Sequence, residues 1–475
     1  MNNVRLTNLI FSCLFCLLIN ACSNSKESAS RATTWSVDEK GWVVTKNAKN
    51  KQERFFAIGT WHVPGYTFTQ DSDADSLTYM QNETLFKKKT APFNMLFITP
   101  GYEKKYMSDK IHILNPFSPM LHGYLDHVKK LPVGDDKDYY RCQYMKGEVD
   151  NPAFIQYLDS QIVALLEKKI NDKHIFSHID EIALGGVSRW AVPPSVGALI
   201  TQRLKKYEPE ALVFVDLLGH ARGSSYLFEK RYLKNHQTMP QDPPYNLLSE
   251  EARKSKIPLL GFYQAFDGTP VYQFKDGEYS YNDCNPDSLI KIWKENIDII
   301  AKDYKGCGDV FGLNAFFNFY QQPVLAGITV DALRNGLGSQ VPIWLYFDGN
   351  GYAKPSNVIP ADYLKNVKCQ IYTAIIHGAT GVLFWNDWSK TPEVFDQLIP
   401  IMKELNGNLE IIKCNTLETM TDNDKNQHVV IKGEKKGKKY ILATNTSTTD
   451  SITLTIPGGN RMVLSPLEVY LSELQ

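Results

Sequence analysis

The chain carries no excess of either charge: 52 Lys and Arg balance 52 Asp and Glu, for a formal net charge of zero. No long basic or acidic run breaks that balance, which argues against nucleic acid as the main partner. Cysteine is sparse, eight in 475 residues, and irregularly spaced. Apart from Cys13 and Cys16 in the N-terminal apolar run, no CxxC pair and no Cys/His zinc spacing occurs, so neither a disulfide framework nor a zinc site is expected to organise the fold. Also missing are a GxSxG elbow, an HExxH helix, a P-loop and a GxGxxG turn after a strand. Their joint absence removes the usual esterases, zinc proteases and nucleotide enzymes, and no cofactor is expected. No apolar run reaches the roughly 18 residues of a membrane span, and no repeat of solenoid period is present.

What is there is an ordinary globular composition, 43% hydrophobic and 22% charged. The length accommodates one barrel of roughly 250–400 residues and a small second domain. Residues 1–22 stand apart from it. Arg5 precedes an apolar run from Leu9 to Ile19, and Ala21-Cys22 follows, the pattern of a secretory signal. Ile19-Asn20-Ala21-Cys22 resembles the bacterial lipobox. That resemblance implies acylation of Cys22 and a membrane partner reached through an N-terminal lipid anchor; a plain signal peptide cut nearby is the other reading. Residues 23–34, rich in Ser, Lys and Asn, read as a flexible tether. The expected localisation is the outer membrane, on its periplasmic or surface side. Of the remaining cysteines, Cys369 reads as a small buried residue, and Cys284 with Cys307 is one candidate bridge.

The most informative stretch runs from Pro342 to Trp388. An apolar strand, Ile343-Trp344-Leu345-Tyr346-Phe347, ends in Asp348-Gly349-Asn350-Gly351. A helix from about Pro360 follows, with Leu364, Val367, Ile371 and Ile375 on one stripe. Gly378 stops it, and a second apolar strand, Val382-Leu383-Phe384, ends in Trp385-Asn386-Asp387-Trp388. Strands apolar on both faces, joined by an amphipathic helix, belong to a parallel sheet covered on both sides. In a closed βα barrel the C-terminal strand ends form the mouth where ligands sit. A mouth of Asp, Asn, Trp and Tyr suits a polyhydroxylated, uncharged ligand such as a sugar.

The same logic extends along the chain. A hairpin over Trp35–Thr45 leads to a first strand, Phe55–Trp61, with Trp61 and His62 at its mouth end. A helix is expected around Leu77–Lys88. Phe93–Ile98 and Ile111–Leu114 are the second and third strands, and helices follow over Met120–Leu131 and Pro152–Ile170. The fourth strand forks. If it is Ile175–Ile179, then Asp180 and Glu181 lie at the mouth; if it is Ile182–Val187, the mouth receives Ser188-Arg189-Trp190. Leu212–Asp216 is the fifth strand, ending in Asp216 with His220 just beyond. Leu259–Tyr263, near Asp267, is an inserted strand or a barrel member. A periodic helix over Leu289–Tyr304 and a strand over Val310–Ala315 complete nine candidates for eight places. After Leu405 short alternating segments, His428–Lys432, Lys439–Ala443, Ile452–Ile456 and Val469–Leu471, describe a small antiparallel β domain. The fold class expected is α/β: a (β/α)8 TIM-like barrel over 35–405, then an all-β antiparallel sandwich domain over 406–475.

Lys40-Gly41-Trp42-Val43-Val44 followed by Phe55-Phe56-Ala57-Ile58-Gly59-Thr60-Trp61 resembles the entry to (β/α)8 glycoside hydrolases. Tyr440–Asn445 with Pro466-Leu467-Glu468-Val469 resembles the β domain that often follows their barrels. The family resembled is that of lipoproteins from polysaccharide-degrading Gram-negative bacteria. It implies cleavage of O-glycosidic bonds in an oligo- or polysaccharide by two carboxyl groups, one acid and one nucleophile or base. In that family strand four supplies an acid in a sequence like "DEP" before a proline-led helix. Here Ser188-Arg189-Trp190 precedes Pro193-Pro194, a departure, while adjacent Asp180-Glu181 resembles hexosaminidase-type barrels. The candidate catalytic residues are Asp348, Glu181, Asp180 and Asp216. The candidate sugar-binding residues are Trp61, His62, Trp190, His220, Asp267, Asn350, Trp385, Asp387 and Trp388, the indoles stacking on sugar faces. Each carboxylate has a plainer reading, for Asp348 a cap on the Asp-Gly turn. A non-catalytic surface glycan-binding lipoprotein on the same scaffold is the alternative.

Overall fold

In the computed structural model the described residues are 35–46, 52–60, 88, 90–98, 110–128, 144–167, 174–178, 182, 192–219, 273–275, 278–280, 286–314, 323–349, 362–385, 392–423, 426–435, 437–456 and 461–474. Residues 1–34, where a signal, the lipobox Cys22 and a tether are expected, and most of the helix expected at Leu77–Lys88 lie outside them.

Three short antiparallel strands come first: β1 (Trp35–Val37), β2 (Val43–Lys46) and β3 (Gln52–Arg54). Asp38 makes the first turn, its Oδ1 accepting the amides of Lys40 and Trp42 at 2.9 Å, an Asx-type turn. Next are β4 (Ala57–Thr60), β5 (Met95–Ile98) and β6 (Ile111–Leu114). Helices α1 (Phe117–Val128) and α2 (Pro152–Glu167) lead to β7 (His174–Ser177). Then α3 (Pro194–Tyr207) and β8 (Val213–Gly219) precede a small hairpin of β9 (Gln273–Lys275) and β10 (Glu278–Ser280). Helix α4 (Pro286–Tyr304), β11 (Val310–Asn314), α5 (Leu325–Leu337) and β12 (Ile343–Asp348) follow. Helix α6 (Tyr363–Ile376), β13 (Gly381–Trp385) and α7 (Pro392–Ile412) complete the unit.

β4 to β8 and β11 to β13 form one closed ring of eight strands, all paired in parallel. The chain is therefore a TIM-like barrel. β8 pairs directly with β11, so no ninth strand stands between them, and Leu259–Tyr263 falls outside the described residues. The fork at strand four is resolved toward the earlier strand, since β7 ends at Ser177. Strand five differs from expectation. It runs on to Gly219, so Asp216 lies within the strand, three residues short of its end. Its C-terminal half follows from Leu217-Leu218, which extend the apolar run past the aspartate.

Inside the ring the large rings are packed by leaving out side chains beside them. Trp344 is fully buried between Gly312 and Gly381, its Cα partners on the two neighbouring strands. A Cβ on Gly381 would lie 2.5 Å from Trp344 Cδ1 and 2.7 Å from Ala57 Cβ, so a methyl group there overpacks the core. Trp35 and Phe55 cover the N-terminal opening, Phe55 against Trp344 with ring centroids 6.2 Å apart. Helix α5 has no counterpart in the sequence reading. Ten of its residues are buried: Leu325–Val330 are buried on every side, and a polar stripe of Asp331, Arg334 and Asn335 marks only the second half. Gly336 lets it approach α4, where an added Cβ would meet Ala301 Cβ at 2.5 Å.

The C-terminal unit begins after α7, which runs through the expected 405/406 boundary to Ile412. Strands β14 (Asn415–Asp422), β15 (Gln427–Lys435) and β16 (Lys438–Asn445) are followed by β17 (Ile452–Thr455), β18 (Arg461–Leu464) and β19 (Val469–Leu474). They make a four-stranded antiparallel sheet, β14-β15-β16-β19, and a β17-β18 pair. Val429, Ile431 and Ile441 pack against Leu454 and Leu464 between the two. Val430 and Leu442, on the opposite face, join the main core of the barrel's outer layer. The joint is also polar: Thr373 and Thr444 hydroxyls lie 2.8 Å apart, and the Cys369 thiol donates to the Asn445 carbonyl at 3.3 Å. His377 Nδ1 is 2.9 Å from Asp331 Oδ2, its Nε2 is 2.9 Å from His428 Nδ1, and His428 Nε2 is 3.0 Å from Thr446 Oγ1. Cys307 is a buried thiol, and Cys284, its candidate partner, lies outside the described residues.

Two buried histidines make the fold sensitive to acid. Burial pushes His178 down to about 4, and burial with the neighbouring His377 pushes His428 down to about 3. Both are neutral when folded, whereas an unfolded histidine titrates near about 6.5. Below that pH the unfolded chain binds protons the native chain refuses, so stability present above about 6.5 is lost as pH falls toward 4. Urea unfolding at stepped pH should show the loss, and His428→Gln should reduce its slope by about one proton. An unchanged slope in that variant would contradict the assignment.

Candidate functional site

Side chains along a barrel strand alternate between the interior and the helix layer. Ala57, Met95, Phe97, Ile113, Ile175, Phe214, Val310, Trp344, Tyr346 and Leu383 form one cluster enclosed by the ring. Ile58, Leu96, Leu114, Phe176, Val215, Leu345 and Phe384 belong instead to the layer shared with the helices. Counting on in twos from the interior set toward the strand C-termini reaches Ser177, Asp216, Asn314, Asp348 and Trp385. Those five come from strands four to eight of the ring, and Trp385 packs against the interior cluster itself. The mouth of the barrel thus receives two carboxylates, an amide, a hydroxyl and an indole.

Asp348 is the terminal residue of β12 and is 2% exposed. Its Cα partner is Trp385, and the Gly349 amide donates to the Trp385 carbonyl at 2.8 Å. The Asp348 carbonyl accepts the Tyr363 hydroxyl at 2.8 Å. The sequence reading placed both Asp348 and Trp385 at strand ends, and both are there.

Asp216 is placed differently. Its strand partner is Gly312, but two residues further along β11 Asn314 pairs with Gly219, a register shift of the bulge type. Such a bulge breaks the regular ladder. The Asp216 Oδ1 accepts the Asn314 amide at 3.2 Å, so the carboxylate holds the irregularity together. Its own carbonyl accepts the Ile182 amide at 2.8 Å, and the Ile182 carbonyl accepts the Val192 amide at 3.0 Å. Asp216 therefore ties strand six and the segment after strand four to strand five.

His178, one residue past β7, is fully buried with Nε2 3.1 Å from the Gly197 carbonyl. A neutral imidazole donates there. By alternation it faces α3, opposite to Ser177. Ser177, Asn314 and Tyr346 were not singled out from sequence. The signal that finds them is the same two-residue count, started from an apolar interior residue rather than read from the strand tip. Asp180, Glu181, Trp61, His62, Trp190, His220, Asp267, Asn350, Asp387 and Trp388 lie outside the described residues. Among the described residues no group of three or more His, Cys, Asp or Glu side chains is placed to hold a metal ion.

No family model and no curated protein matches this chain. Solved structures similar in fold are barrel glycosidases. A GH27 β-L-arabinopyranosidase from Geobacillus stearothermophilus is 9% identical, with 88% of this chain and 96% of that chain covered and a TM-score of 0.46. A maltogenic α-amylase from Thermotoga neapolitana is 8% identical, covering 88% and 98%, with a TM-score of 0.42. A glucosidase from Croceicoccus marinus is 8% identical, covering 87% and 81%, with a TM-score of 0.36. At that identity the likeness is one of architecture, and the barrel assignment rests on the strand pairing itself.

Proposed function

We propose that this chain is a glycoside hydrolase that cleaves O-glycosidic bonds of an oligo- or polysaccharide with a pair of carboxyl groups. The observation that carries the proposal is the shared interior facing of Asp348, Asp216 and Trp385 on strands seven, five and eight. Hydrolysis needs one carboxyl group held protonated and another ionised across the bond. Asp348, at a strand tip beside Trp385, is assigned the ionised role, and the indole offers an apolar face to the sugar ring. Glu181 is assigned the acid. What supports it is its covalent neighbour Ile182, whose amide is bonded to the Asp216 carbonyl. Asp216, one oxygen of which serves the Asn314 amide, is assigned to positioning. The second reading, a glycan-binding protein without turnover, is favoured by the absence of a carboxylate in Ser188-Arg189-Trp190.

Turnover of the wild type should be measured by reducing-end release from a panel of neutral glucans, mannans, xylans and galactans. Asp348→Asn and Glu181→Gln are each expected to lose about 10³-fold in kcat while still binding the glycan. Asp216→Asn keeps an acceptor for Asn314 and should stay within about tenfold of wild type. Tight binding of a panel glycan with no wild-type turnover would decide for the binding protein. We also propose that Cys22 is acylated and holds the chain on the outer membrane. Palmitate labelling of the expressed chain should be lost in Cys22→Ser, and an unlabelled wild type would refute the anchor.

A further inference from the structure

Asp348 closes β12, and α6 begins at Tyr363. The backbone at Asp348 is held on both sides. On the strand side the ladder with β13 extends one residue past the tip, through the Gly349 amide on the Trp385 carbonyl at 2.8 Å. On the other side Tyr363, the first residue of α6, is 3% exposed and donates its hydroxyl to the Asp348 carbonyl at 2.8 Å. That bond joins the last residue of β12 to the first residue of α6.

Helix α6 is in turn held at its far end by the C-terminal sheet; Tyr372, which donates to Glu404 of α7 at 2.9 Å, is not part of that joint. Thr373 meets Thr444, and His377, just past the helix end, meets His428 of the C-terminal sheet. The tyrosine hydroxyl is thus presented by a rigid strut anchored on the β domain. A reacting carboxylate has to be placed to within about 0.5 Å, and misplacement by about 1 Å costs on the order of 10²-fold in rate.

Building on the glycosidase reading, we propose that Tyr363 is a positioning residue for the reaction. It fixes the Asp348 backbone so that the carboxylate keeps its place against the sugar, and α6 with the C-terminal domain carries it. Tyr363→Phe retains the ring and removes the bond, leaving the Asp348 carbonyl without that donor. Tyr372→Phe is the control: it removes a tyrosine hydroxyl bond from the same helix, to Glu404 on α7 rather than to Asp348.

The experiment compares the full chain as wild type, Tyr363→Phe and Tyr372→Phe on the panel polysaccharide that the wild type turns over best. The folded fraction is checked by circular dichroism at the assay temperature. Tyr363→Phe is expected to lose about tenfold or more in kcat with KM within about twofold. The acidic limb of its kcat/KM profile, which reports an essential carboxylate of the free enzyme, should move by about half a pH unit. Tyr372→Phe should change neither. Equal kinetics and equal acidic limbs for the two variants would overturn the positioning role while wild-type turnover leaves the glycosidase reading intact. A wild type that turns over none of the panel overturns both together.

Discussion

The structure depends on one hydrogen-bond ladder, the parallel pairing of β13 with β4. Gly381 faces Ala57, Val382 faces Ile58, Leu383 faces Gly59 and Phe384 faces Thr60. It joins the last strand of the barrel to the first, and without it the sheet would have two open edges. Closure also sets the facing of side chains. Once the ring is complete, every second residue of every strand must share one enclosed volume. Convergence of Asp216, Asp348 and Trp385 from well separated positions in the chain is a consequence of that closure. No direct bond between those side chains is needed to bring them together.

Glycine makes closure compatible with an aromatic interior. Trp344, Tyr346, Phe97 and Phe214 share the enclosed volume, with Phe214 stacked on Trp344 at 5.5 Å between centroids. Four rings fit there because Gly381 presents no side chain beside the indole and Gly312 none beside the Phe214 ring. The N-terminal opening is closed by Trp35 and Phe55, so polar residues gather at the other end. This separation gives the mouth its chemistry: the floor is apolar and filled, and the rim is polar.

Much of this was legible in the sequence because barrel strands are apolar on both faces and stop abruptly at polar residues. β12 and β13 were readable for that reason, and Asp348 and Trp385 with them. Asp216 was readable as an inward candidate but not in its place within the strand. Leu217-Leu218 continue the strand past it, and the bulge at Asn314 is a property of two strands together that no single segment displays. Helix α5 escaped because its first half is buried on every side and a polar stripe, Asp331, Arg334 and Asn335, marks only its second half. β14, an edge strand with an exposed first half, escaped because its composition is that of a loop. The choice between two fourth strands turned on pairing with β6 and β8, which lies beyond local pattern.

The C-terminal domain is more than an appendage in this arrangement. Its sheet uses one face for its own core and lends Val430 and Leu442 to the barrel's outer layer. The polar joint at Thr444 and His428 meets the helix that begins at Tyr363. The central claim, that carboxyl groups from different strands face one mouth, is tested most directly by a crystal structure of the full chain. The distance to measure is that between the Asp348 and Glu181 carboxyl carbons. The account predicts both groups open to the mouth and separated by about 5–9.5 Å, the span of retaining and inverting pairs. A Glu181 carboxyl outside the ring, or more than about 12 Å from Asp348, too far for the two to flank one glycosidic bond, would contradict it.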